Sequence, residues 1–315
     1  RQRQMCIRDS SSIRHVTPRH EQGAGFMADG YARTRGKPGV CFIITGPGMT
    51  NITTAMGQAY ADSIPMLVIS SVQSRDQLGG GRGKLHELPN QGALVAGVAA
   101  FSHTLMSAAD LPQVLARAFA VFEGARPRSV HIEIPLDVLV EPADHLLPAR
   151  PVRSSRAGAA PQAVARMAER LAQAHKPLIL AGGGALAAGP ALARLAEHLQ
   201  APVALTINAK GLLPSHHPLQ IGSTQSLVAT RALVAEADVV LAIGTELAET
   251  DYDVTFKGGF EIPGSLLRVD IDPDQTVRNY LPELALVADA KLAAEALFDA
   301  LQPVSYTHLT LPTKR

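Results

Sequence analysis

The chain has 315 residues, 46% of them hydrophobic and 18% charged, and a formal net charge of +1. That length favours two domains of ordinary size, and the near-neutral, apolar-rich composition argues against a chain disordered as a whole and against a polyanion binder. Two cysteines, Cys6 and Cys41, are too few for a disulfide framework and fit a reducing cytoplasm, while no apolar run is long enough to span a membrane and no signal peptide is evident.

Residues 1–12 and 304–315 are aperiodic and are set aside as non-native or disordered tails. Residues 13–17 read as a short strand stopped by Pro18. A helix follows from Glu21, with Ala24, Met27, Ala28 and Tyr31 spaced to form its apolar face. Val40-Cys41-Phe42-Ile43-Ile44 is too uniformly apolar for a one-sided strand and predicts a parallel strand covered on both faces. Gly46-Pro47-Gly48 turns at its carboxyl end, the end where open α/β sheets bind ligands. Ile52, Ala55, Met56 and Ala59 predict a helix over 49–61, and 66–71 is a second buried strand.

Residues 74–91 hold Gly79, Gly80, Gly81 and Gly83 with five charged residues, which predicts a long surface loop. A helix over 111–123 and a strand over 129–135 follow, the strand alternating as if one face were wetter. Residues 148–160 lose all periodicity and mark a linker. Beyond it, strands at 177–181, 203–207, 239–243 and 266–270 alternate with glycine turns and with helices at 189–199 and 290–301. The rhythm of strand, glycine and helix occurs twice, which predicts an α/β fold of two doubly wound, mainly parallel-sheet domains.

Glu21 lies in the first turn of its helix, where an acid complements the dipole for about 0.3–1 kcal/mol. Gly46 and Gly48 let backbone approach a planar ring, and Thr50 or Asn51 at the next helix start can supply donors. Gly182-Gly183-Gly184 is not a full dinucleotide fingerprint and reads as close helix-strand packing. Asp270-Ile271-Asp272 suits either a ribose or a solvated strand end, and His216-His217 lacks metal-ligand spacing to a third residue.

His20-Glu21, Gly30-Tyr31-Ala32-Arg33, Gly46-Pro47-Gly48 with Thr50-Asn51, and Ala59-Tyr60-Ala61-Asp62-Ser63-Ile64-Pro65-Met66 fall in order and at close spacing. Together they resemble the thiamin-diphosphate enzymes, in the branch of acetolactate synthases and 2-oxo acid decarboxylases. The resemblance implies an N-terminally truncated pyrimidine-binding domain over 13–147 and a Rossmann-like central domain over 161–303. It implies that Glu21 is catalytic, bonding the aminopyrimidine nitrogen of the cofactor and favouring the tautomer that takes the thiazolium C2 proton, in an apolar pocket that raises the glutamate pKa. Thr45, Gly46, Pro47, Gly48, Asn51 and Gln91 become cofactor-binding positions, although Asn90 and Gly92 depart from the family pattern around Gln91.

The Mg²⁺ ligands are expected in a diphosphate domain after residue 303, so no metal ligand is expected here and the fragment alone is expected to be inactive. Gly222-Ser223-Thr224-Gln225 lacks the methionine-histidine pattern of FAD binders, which favours loss of FAD. A cytoplasmic homodimer or homotetramer acting on a small 2-oxo acid is implied, with no nucleic-acid or membrane partner.

Residues 78–89 and 100–105 look closest to 5-guanidino-2-oxopentanoate decarboxylases. A buried guanidinium needs a carboxylate partner, and Glu87, flanked by Leu85, Leu88 and Pro89, is the candidate substrate residue. Two alternatives stand beside this reading: an acetolactate synthase large subunit, and a non-catalytic nucleotide-binding module built on the Gly182 domain.

Overall fold

The computed structural model describes residues 14–144, 146, 155–252 and 260–302. The chain divides after Ser155 into two compact units. Both expected tails and residues 148–154 of the expected linker lie outside the described residues. No helix among the described residues is long and apolar enough to cross a membrane.

The first unit runs α1 (Glu21–Arg35), β1 (Gly39–Ile43), α2 (Pro47–Ala61), β2 (Met66–Val72), α3 (Gln91–Val95), β3 (Phe101–Thr104), α4 (Leu111–Gly124) and β4 (Ser129–Pro135). Its four strands are all parallel, in the order β1-β2-β4-β3. The second unit runs α5 (Pro161–Ala172), β5 (Pro177–Ala181), α6 (Gly189–Leu199), β6 (Val203–Leu205), β7 (Gln220–Gly222), α7 (Val228–Glu236), β8 (Val239–Ile243), α8 (Glu249–Tyr252), β9 (Ser265–Asp270), β10 (Leu284–Val287) and α9 (Ala290–Leu301). Its six strands are also parallel, in the order β10-β9-β8-β5-β6-β7. The α/β class with two parallel sheets is therefore as the sequence rhythm predicts.

Four local expectations are corrected. Residues 14–17 form no strand; Pro18 offers no amide, and no described strand pairs with the outer edge of β1. β1 is covered on one face only: Cys41 and Ile43 are buried, whereas Val40, Phe42 and Ile44 are exposed. The apolar run misled because it places large side chains on both faces of an edge strand.

The packed face of α1 is Gly25, Ala28, Asp29 and Ala32, with Met27 and Tyr31 exposed. Small residues win because α1 and α2 approach closely: a Cβ on Gly25 would lie 2.4 Å from Ala55 Cβ. Finally, β4 is buried along its whole length, His131 and Glu133 included, because it lies between β2 and β3.

Candidate functional site

The site begins at the carboxyl end of β1. Gly46 has φ +68°, a left-handed value that a side chain disfavours, and it is the N-cap of α2, whose first residue is Pro47. Gly46 and Gly48 put no side chain on the turn beside Pro47. Gly48 lies directly beside the start of α1, since a Cβ there would sit 3.6 Å from Glu21 Cγ. Helix α2 carries Asn51 as its fifth residue, and the Asn51 amide donates to Glu21 Oε2 at 3.0 Å. This bridge joins the two helix starts that the motifs single out.

Glu21 opens α1 behind the N-cap His20, whose ring Nδ1 accepts from the Gln22 amide at 3.2 Å. The Asn51 hydrogen bond, helped by a backbone amide of the first turn and by His20, holds the Glu21 carboxyl below the usual carboxylate range. The expected upward shift is not found, because Glu21 is only half-buried and its nearest polar neighbour donates to the ionised form. The result is a fixed, ionised carboxylate next to a glycine turn, able to accept from a heteroaromatic N–H.

Gln91, the first residue of α3, fastens that turn from below. Its Oε1 accepts from Thr45 Oγ1 and from the Gly46 amide, both at 2.9 Å. Its amide nitrogen donates to Ser70 Oγ at 3.0 Å, Ser71 O at 3.1 Å and Glu133 Oε2 at 3.1 Å. Thr45 and Gln91 are both buried, so two predicted cofactor positions are here partners to each other and to the turn.

The network continues into the sheet, where sequence reasoning missed it. Thr104 Oγ1 donates to Glu133 Oε1 at 2.7 Å, and the His131 ring stands 2.9 Å from Ser70 Oγ through Nε2 and 2.8 Å from Ser102 Oγ through Nδ1. Burial lowers the His131 pKa to about 4, so the ring is neutral. Polar residues at every second position of a strand signal a wet face, and only the partners of β4 reveal a buried one.

The loop 74–90 lies over the turn. The carbonyl and Cβ of His86 occupy the space that a side chain on Gly46 would need. Glu87 is turned into its own loop: its carboxylate accepts from the amides of Lys84 at 2.9 Å, Gly81 at 2.6 Å and Arg82 at 3.4 Å. Those backbone amides, Lys84 first, hold its carboxyl below the ordinary range.

In the second unit, the Gly182 turn is packed as its sequence suggests. The Gly182 and Gly184 amides donate to Ile243 O and Gly244 O at 3.0 Å, and are thereby committed within the protein rather than offered to a pyrophosphate. His217 pairs with Glu197 at 3.2 Å. Among the described residues, no grouping of three His, Cys, Asp or Glu side chains could hold a metal ion.

Two family profiles match this chain: the thiamine pyrophosphate enzyme N-terminal TPP binding domain over residues 5–94, and the thiamine pyrophosphate enzyme central domain over residues 164–297. The chain belongs to the thiamine pyrophosphate enzyme family and carries these two of its domains. It is 52% identical over 288 residues to the probable 2-ketoarginine decarboxylase AruI of Pseudomonas aeruginosa, covering 91% of this chain and 51% of that protein. It is 32% identical over 289 residues to acetolactate synthase isozyme 1 large subunit of Escherichia coli, covering 90% of this chain and 50% of that one.

An X-ray structure of a protein assigned as a thiamin diphosphate-dependent enzyme of Mycobacterium smegmatis superposes with a TM-score of 0.82 at 25% identity, covering 96% of this chain and 58% of that one. The chain spans about half the length of the curated relatives it matches.

Proposed function

We propose that the full-length protein is a thiamin-diphosphate-dependent decarboxylase of a 2-oxo acid that carries a guanidinium, of the 5-guanidino-2-oxopentanoate type. One observation carries the reading: the ionised Glu21 carboxylate, fixed by Asn51 beside the turn Gly46-Pro47-Gly48 with its two glycines. Bound thiamin diphosphate supplies the nucleophilic carbon and the electron sink that 2-oxo acid decarboxylation requires. The ionised Glu21 would accept from the protonated pyrimidine ring nitrogen and share that proton. Gly46, Pro47 and Gly48 give that ring backbone to lie against, and Thr45 and Gln91 keep the turn in place.

The Mg²⁺ ligands belong to the part of the protein outside this chain, and we favour loss of FAD because Gly222-Ser223-Thr224-Gln225 lacks the methionine-histidine pattern of FAD binders. Assembly as a homodimer or homotetramer through the first unit is supported by apolar side chains exposed there, Phe26, Met27 and Tyr31 on α1, Val40 and Phe42 on β1, and Ile44 just after it. The cytoplasm is the compartment we assign to it.

The substrate class rests on the 52% identity to a probable 2-ketoarginine decarboxylase and on Glu87. Because backbone amides both fix and ionise that carboxylate, it is a preorganised partner for a planar guanidinium. In the full-length protein supplied with cofactor and Mg²⁺, the guanidinium-bearing 2-oxo acid should give CO₂ and the aldehyde one carbon shorter. Glu87→Gln should raise KM for that acid about tenfold or more while leaving KM for pyruvate within about twofold. An equal effect on both acids would remove Glu87 from the substrate site, and a carboligated product from pyruvate as the main reaction would favour the acetolactate synthase reading.

A further inference from the structure

We propose that His86 contacts the substrate, its imidazole Nε2 bonding the carboxylate of the 2-oxo acid; this rests on the decarboxylase reading above. His86 has φ +59°, a left-handed conformation that a non-glycine residue adopts at a cost and that recurs at functional sites. Its Nδ1 is shielded from solvent and has no hydrogen-bond partner. A buried unmet polar atom is a second cost that a residue chosen for its backbone alone would not carry, since Asn or Gly accepts the same conformation without it.

The surroundings hold this unfavourable arrangement in place from both sides. Gln73, itself buried, donates through its amide to Leu85 O at 2.8 Å, and the Glu87 amide donates to Lys84 O at 3.0 Å. The residue so held is laid against Gly46, two positions along the turn from Gly48 and its neighbour Glu21: a Cβ on Gly46 would lie 2.4 Å from His86 O and 2.7 Å from His86 Cβ.

With Nδ1 turned inward, Nε2 is the ring nitrogen left to meet a ligand. An imidazole N–H suits the carboxylate that every 2-oxo acid carries. His86 would thus act on the acid group, whereas Glu87 would act on the side-chain guanidinium.

The test uses the full-length protein with thiamin diphosphate and Mg²⁺, and two variants that both tolerate the left-handed backbone, His86→Asn and His86→Gly. Both should raise KM for the 2-oxo acid by about tenfold or more, with the cofactor dissociation constant within about twofold of wild type. An unchanged KM in either variant overturns the proposal. So does a joint weakening of substrate and cofactor, which would mean that His86 only props the glycine turn. If the wild-type protein itself turns over no 2-oxo acid, the decarboxylase reading fails and this contact with it; if wild type is active and the variants match it, only the contact fails.

Discussion

At the scale of the residue, the turn at Gly46 is tied to the middle of the sheet by one amide side chain, Gln91, and through Ser70 to a neutral histidine. His131 is fully buried, and burial lowers its pKa from 6.5 to about 4. An unfolded chain binds the proton near pH 6.5 and the folded one does not, so between those values the unfolded state holds more protons and stability rises with pH. Stability should be at its plateau above about pH 6.5 and decline by about 3 kcal/mol in total as the pH falls towards 4.

Chemical denaturation at pH 7.5 and at pH 5 should show about 2 kcal/mol of this loss, and His131→Gln should flatten the slope. An identical slope in the variant would place the pH sensitivity in other groups. Glu21, Asn51, Thr45 and Gln91 were legible in the sequence because their motif spacing survives without knowledge of the fold. His131 and Glu133 were not, because alternation along 129–135 looks the same whether the polar face meets water or a neighbouring strand.

At the scale of the element, the periodicity of α1 located the helix but not its buried face. Met27 and Tyr31 carry the larger hydrophobic signal, yet the buried face is Gly25, Ala28 and Ala32, with Gly25 against Ala55 of α2 and Ala28 against Gly39 of β1. Close approach decides it, since the short distance between the helices leaves no room for large side chains.

Gly25→Ala measures the competition. The substitution should gain up to about 1 kcal/mol in helix propensity, while the contact with Ala55 and Ile52 should cost about 1–3 kcal/mol, so a net loss of stability is expected. A raised thermal midpoint would mean that the two helices are free to separate. Strand β1 teaches the same lesson for sheets, because Val40, Phe42 and Ile44 are exposed where an unbroken apolar run predicted cover. Strands that end on a glycine, β5 at Gly182 and β8 at Gly244, were read with their full bounds, whereas the edge strands β7 and β10, three and four residues long, are too short to stand out.

At the scale of the whole molecule, two parallel-sheet units follow one another in a chain about half as long as its relatives, and each unit contributes differently. The second sheet commits the amides of its glycine turn to its own backbone. The first places an ionised carboxylate, an amide donor and a glycine turn within hydrogen-bond reach at the carboxyl end of β1. The central claim is that this carboxylate sets the proton state of a bound aminopyrimidine ring.

The direct measurement is turnover of the 2-oxo acid by full-length Glu21→Gln with saturating thiamin diphosphate and Mg²⁺. Glutamine keeps the size and a hydrogen bond to Asn51 but cannot hold the proton. The account predicts a loss of kcat by about a hundredfold or more with the thermal midpoint within a few degrees of wild type. Wild-type kcat in the variant would contradict it.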